Sequence, residues 1–165
     1  MIQLLYDVSP NITPRVGLSK RIQRHSPAEA IRRYSDREIE RDLRRVRKAW
    51  KSYGNARDRL AIYRYLKQVY LVVIGWRAVK RSQARARHIL RMDKASPRYM
   101  VAEPFNVVIF ATADHDLDHR ARSKWSRCLQ FAARNEVPAD KLIGFVRRHG
   151  GLSKCALFLG KGARR

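Results

Sequence analysis

Between Ile39 and Tyr53 the large apolar residues fall only at alternating four- and three-residue steps: Ile39, Leu43, Val46, Trp50 and Tyr53. The positions between them are charged, apart from Ala49 and Ser52. That period is the period of an α-helix with one buried stripe, and it does not fit the alternation of a half-buried strand. A stripe of this kind must be covered by other elements, so the chain is committed to packing helices on one another. Ser35 with Glu38 reads as a capping box. The first helix is therefore expected near Ser35, with Gly54 as its stop.

The same period returns further along. Asn55 with Asp58 reads as a second cap, followed by Leu60, Ile62, Tyr63, Leu66, Val69, Tyr70, Val73, Trp76 and Val79. The apolar face widens between Val69 and Trp76, the mark of a central helix. The helix can run on toward Arg91 through Arg and Ala, both strong helix formers, with a break near Gly75 or Ser82. Ser96-Pro97 ends this element. Phe105–Ala113 is rich in Val and Ile, yet a lone strand has no partner here and Pro104 suits the first turn of a helix. A short buried helix is expected. Asp118 or Asp116 caps a helix to about Asn135, Pro138 opens the next, Gly150-Gly151 ends it, and Ser153 caps a final short helix over Lys154–Leu159.

The fold expected is all-α: a single-domain bundle of about five or six helices at 35–160. A basic N-terminal arm at 1–34 precedes it, and a disordered basic tail at 161–165 follows. The arm holds three of the six prolines and an acid-free stretch, Arg15–Arg24.

Charge sets the function class. Lys and Arg number 37 against 14 Asp and Glu, a formal +23 on 165 residues. Hydrophobic content of 45% excludes a protamine-like polycation without a core. An excess of this size attracts polyanions, and nucleic acid is the abundant one. Most of the cations are Arg, whose planar fork suits phosphate and guanine. The longest apolar run, Val69–Trp76, is far short of the roughly 18 residues of a membrane span. Cys128 and Cys155 lack the spacing of zinc ligands and read as reduced, buried small hydrophobes. Ile2–Val8 is too short for a signal peptide and no basic segment precedes it, so a cytoplasmic protein is expected. No Walker, GxGxxG or Ser/His/Asp pattern is present, and neither a cofactor nor catalysis is expected.

Four constellations are candidates for binding. Leu142, Phe145 and Val146, the Gly-Gly turn, and Cys155-Ala156 have the parts of a helix-turn-helix. There Ser153, Lys154 and Leu157 would meet the major groove, and Arg147, Arg148 and His149 would lie near the backbone. Arg120, Arg122, Ser123, Lys124 and Arg127 surround Trp125. They are candidate phosphate contacts, and Trp125 itself reads as core. Arg77, Lys80, Arg81, Arg85, Arg87, Arg91, Lys94 and Arg98 are opposed only by Asp93. A solvated face normally mixes signs, so this run is expected on a phosphate backbone, together with the basic end of the first helix. Asp114, His115, Asp116, Asp118 and His119 could hold a divalent metal, although their place at a helix N-terminus, where capping and the dipole favour Asp, explains the acids better.

Arg122-Ser-Lys-Trp-Ser-Arg127, Phe131-Ala-Ala, Phe145, Gly150-Gly151 and Cys155-Ala156, with Asn55-Ala-Arg-Asp-Arg59 and Tyr63-x-Tyr-Leu66, carry a resemblance. Over residues 50–160 the chain resembles small basic proteins of alphaproteobacterial plasmids and integrating elements. That group has no assigned activity, so the resemblance implies only a bacterial mobile-element setting and favours a DNA-binding or regulatory role.

The expected function is non-catalytic nucleic-acid binding, with duplex DNA ahead of RNA, as a regulator or accessory factor. Homodimers or larger nucleoprotein assemblies are compatible with it. The alternatives are a ribonucleoprotein component, a module that engages an acidic protein partner, and a metal-dependent nuclease using Asp114–His119.

Overall fold

The computed structural model describes residues 27–55, 60–94, 101–114 and 117–161. Among them are seven helices and no strand. They are α1 (Pro27–Gly54), α2 (Ala61–Ala78), α3 (Ser82–Met92), α4 (Pro104–Thr112), α5 (His119–Arg134), α6 (Leu142–Arg148) and α7 (Gly151–Lys161). The all-α bundle expected from the period of the apolar residues is the fold observed. No helix among the described residues is long and apolar enough to cross a membrane.

Helix α4 lies at the centre, against α1, α2, α3 and α5. Its nine residues are too few to be helical alone in water. Phe105, Val107, Val108 and Ile109 are wholly removed from solvent, at about 1.5–3 kcal/mol for each large side chain, and this burial holds the helix. Glu103 caps it by accepting a hydrogen bond from the Asn106 N–H at 2.7 Å. The same carboxylate oxygen accepts from the Ser126 hydroxyl at 2.6 Å, which ties α4 to α5. Helix α2 buries Tyr65, Leu66, Val69, Tyr70, Val73 and Trp76, the wide face expected of it. The stripe of α1 turns inward as Ile39, Leu43 and Val46, with Trp50 and Tyr53 packed at its edge. Trp50, Tyr65 and Trp125 form an aromatic knot, with centroids 4.9 Å apart for Trp50–Tyr65 and 6.4 Å for Tyr65–Trp125.

Several boundaries differ from those expected, each for a local reason. Helix α1 begins at Pro27, so Ser35 is interior to it and the helical region starts before residue 35. Proline lacks only an N–H that a first turn leaves unbonded, and Ala28 and Glu29 favour helix. Residues 1–26, including Arg15–Arg24, lie outside the described residues, as do Asp58, Arg98, His115, Asp116 and 162–165. Helix α2 is preceded by Leu60, without a side-chain cap, so Asn55 does not start it. Pro138 opens a turn closed by a Lys141 N–H to Pro138 carbonyl bond of 3.0 Å, and helix resumes only at Leu142. Gly150 and Gly151 both have left-handed backbone, φ 79° and 86°. Helix α7 therefore starts directly at the turn, runs through Lys161, and contains Ser153 in its first turn.

The break between α2 and α3 falls at Val79–Arg81, near Ser82 and not at Gly75. The Lys80 N–H bonds the Arg77 carbonyl and the Arg81 N–H bonds the Trp76 carbonyl, both at 2.9 Å. This is the Schellman closure, which requires a left-handed residue. Lys80 supplies it with φ 55°. Glu136, φ 51°, does the same after α5, where the Val137 N–H bonds the Ala132 carbonyl.

Candidate nucleic-acid interface

Helix α5 divides its residues by sign. Trp125, Ser126, Cys128, Leu129 and Ala132 are buried. Arg120, Lys124 and Arg127 recur at three- and four-residue steps on the opposite side, as does Ser123. Asp118 starts the helix by accepting from the Arg120 N–H at 3.1 Å. Helix α7 packs chiefly on α5 and α6. It buries Cys155 and Ala156 and leaves Ser153, Lys154, Leu157 and Phe158 exposed. Cys128 and Cys155 share a hydrogen bond across this seam. That bond, together with burial, pushes the Cys128 thiol well above its ordinary range. Both cysteines are free and buried, as expected.

Between the two helices runs a groove of about 460 Å³. One wall is α5, with His119, Arg120, Ser123, Lys124 and Arg127; the other is α7, with Ser153, Ala156 and Leu157. Two constellations that lie 26 residues or more apart in sequence thus meet in one place. His119, read from the sequence only as a metal candidate, belongs to this wall. Its signal was the helical spacing from His119 to Ser123 and Arg127. No ion pair is formed by Arg120, Lys124 or Arg127 among the described residues.

The other expected contacts separate into free and engaged cations. Arg87 and Arg91 are exposed on α3, as are Lys80 and Arg81 at its start and Arg147 and Arg148 at the end of α6. Arg85 is not available to a phosphate. Its guanidinium lies 2.7 Å from Glu38 and 3.7 Å from Asp42, packed 5.5 Å over the Trp76 ring. The reason is positional: α3 packs on α4 and α2, and Arg85, at its start, reaches back to the acids of α1. Arg122 likewise turns away from the groove, 5.2 Å over the Phe110 ring. Arg77 is exposed but lies 4.9 Å over Phe105. Lys154 folds back across Gly150 and does not line the groove.

Helix α1 adds a stripe absent from the expected contacts apart from its basic end: Arg37, Arg41, Arg44, Arg45, Lys48 and Lys51, all exposed. Its acids from Asp36 to Asp42 are taken up in pairs within the fold. Besides the Glu38 and Asp42 pairs with Arg85, Glu40 pairs with Arg47 at 2.8 Å and Asp36 lies 2.8 Å from His88. A second groove, of about 440 Å³, between α1, α3 and α4 is consequently balanced in charge, with Asp36, Glu40 and Asp93 against Arg47, His88 and Lys94. The α5–α7 groove, by contrast, sets Arg120, Lys124 and Arg127, which have no acidic partner among the described residues, against apolar Ala156 and Leu157. Trp125 is buried, packed on Trp50 and Tyr65, and so offers no stacking platform. Among the described residues no three His, Cys, Asp or Glu side chains are grouped to hold a metal ion.

No family model, no curated protein and no solved structure matches this chain.

Proposed function

We propose that this protein is a non-catalytic nucleic-acid-binding protein, with duplex DNA as its leading target. It would grip phosphates through the α5–α7 groove, the outer face of α3 and the stripe of α1. One observation carries the reading: Asp36, Glu38, Glu40 and Asp42 of α1 are taken up by His88, Arg85 and Arg47, while the exposed cations of the α1 stripe, with Arg87, Arg91, Arg120, Lys124 and Arg127, have no acidic partner among the described residues. Phosphates are the neutralising groups that such a surface recruits. The mobile-element setting implied by the resemblance suits an accessory factor or regulator. In a helix-turn-helix version of this reading, α6 and α7 would address the groove with Ser153 and Leu157.

The test is fluorescence anisotropy with duplex DNA, single-stranded DNA and structured RNA across a salt series. Duplex preference is expected, with a log–log slope equivalent to roughly five or more phosphates at about 0.9 each. Lys124→Glu with Arg127→Glu should cost at least about tenfold on every probe, about 1.4 kcal/mol. A preference for RNA would move the protein to the ribonucleoprotein class. Absence of binding to all three at about 100 mM salt would leave an acidic protein as the partner.

A further inference from the structure

The α5–α7 groove has a feature that phosphate binding alone does not call for. Leu157, 59% exposed, stands on its α7 wall beside the buried Ala156. This large apolar side chain stands in the open on the wall opposite Arg120, Lys124 and Arg127. What sets it apart from a singly exposed surface leucine is its place in a cationic groove, where a ligand can meet an apolar side chain and charge together. The groove is also concave and, at about 460 Å³, falls in the roughly 300–1,000 Å³ range of sites that enclose one small organic ligand. A duplex offers little to such a shape. Its base faces are stacked away, and only the edges and thymine methyl groups are accessible in the major groove.

An unpaired nucleotide offers both halves of what the groove requires. Its phosphodiester is an anion for the cations of α5, and its splayed base has a free face for the apolar side chain of Leu157. The hydroxyls of Ser123 and Ser153, on opposite walls, can each donate to a phosphate or sugar oxygen. We infer that the α5–α7 groove is a site for a single unpaired nucleotide, held where a duplex ends or opens. This inference rests on the nucleic-acid reading above and assigns to the groove a narrower ligand than the surrounding cationic surface.

The experiment compares two DNA probes of equal phosphate number: a blunt duplex and a shorter duplex with a three-nucleotide single-stranded tail. The wild-type protein should bind the tailed probe at least about fivefold more tightly. Leu157→Ser should abolish that preference, its loss of affinity falling on the tailed probe well beyond any loss on the blunt one. Leu157 is exposed, so the variant retains the fold, and circular dichroism checks this directly. Arg87→Ala with Arg91→Ala, outside the groove, should weaken both probes equally and keep the preference. Equal binding of the two probes by the wild type, or a Leu157→Ser effect of the same size on both, overturns the nucleotide site and leaves nucleic-acid binding standing. Failure to bind either probe overturns both readings.

Discussion

The Arg85 Nη2 lies 2.7 Å from the Glu38 Oε2, although 47 positions separate the two residues. This pair, only 11% and 24% exposed, fastens the start of α3 to α1 and takes one arginine out of a run that otherwise faces outward. Arg85→Ala should therefore act on the fold. It leaves Glu38 half-desolvated without its partner, at a cost of about 2 kcal/mol, read as a lowered urea midpoint. Arg87→Ala, two positions on and exposed, should leave the midpoint in place and weaken nucleic-acid binding. A reversal of the two effects would contradict the placement of Arg85.

Tyr65 is wholly buried, with its hydroxyl 3.0 Å from that of Thr112. Burial pushes its phenol well above the ordinary value of 10.0. The folded pKa is raised, so the associated stability is fully present below about pH 10 and is lost as pH rises toward the folded value, by about 1.4 kcal/mol per unit. Tyr65→Phe should lose stability at neutral pH through the broken hydrogen bond, but its stability should decline less steeply than that of the wild type between about pH 10 and 11.5. Parallel curves for the two proteins would refute the burial of this phenol.

Lys80 sits at φ 55° in the closure after α2, where a β-carbon costs about 1–2 kcal/mol against a glycine. Lys80→Gly should raise the thermal midpoint, by up to about 1 kcal/mol in stability, and at the same time remove an exposed cation. Stability and nucleic-acid affinity should move in opposite directions in this one variant. Scanning calorimetry and an anisotropy titration on the same sample check it.

Gly151, φ 86°, has no atom nearer than the Tyr63 hydroxyl, 4.0 Å from where a β-carbon would stand. Gly151→Ala is thus strained by its backbone alone, at about 1 kcal/mol. Semisynthesis with D-alanine, which accepts this backbone, should restore the wild-type midpoint.

The helices were legible because their apolar residues keep a 3.6 period that nothing else in the chain imitates. Phe105–Ala113 shows how far such reasoning reaches: its composition favoured a strand, and Pro104 together with the absence of any pairing partner made it a helix. The stops were less legible. Lys80 and Glu136 end helices in a conformation usually given to glycine, and no residue type at those positions announces it. Least visible was which cations are free. Arg85 and Arg87 are indistinguishable in sequence, and only the ion pairs of Arg85 with Glu38 and Asp42 of α1 separate them. Arg120, Lys124 and Arg127 were each visible as candidates, as was Ser153, but their meeting across the α5–α7 seam depends on how α7 folds back.

That seam also determines what light can report about this protein. All three tryptophans, Trp50, Trp76 and Trp125, are buried or packed against the core, and Trp125 lies on the inner side of the same helix whose outer side forms the groove wall. Emission should be blue, weakly quenched by iodide, and strongly red-shifted on unfolding. The protein thus carries an intrinsic gauge of its own folding that is nearly blind to what occupies the groove a helix-width away.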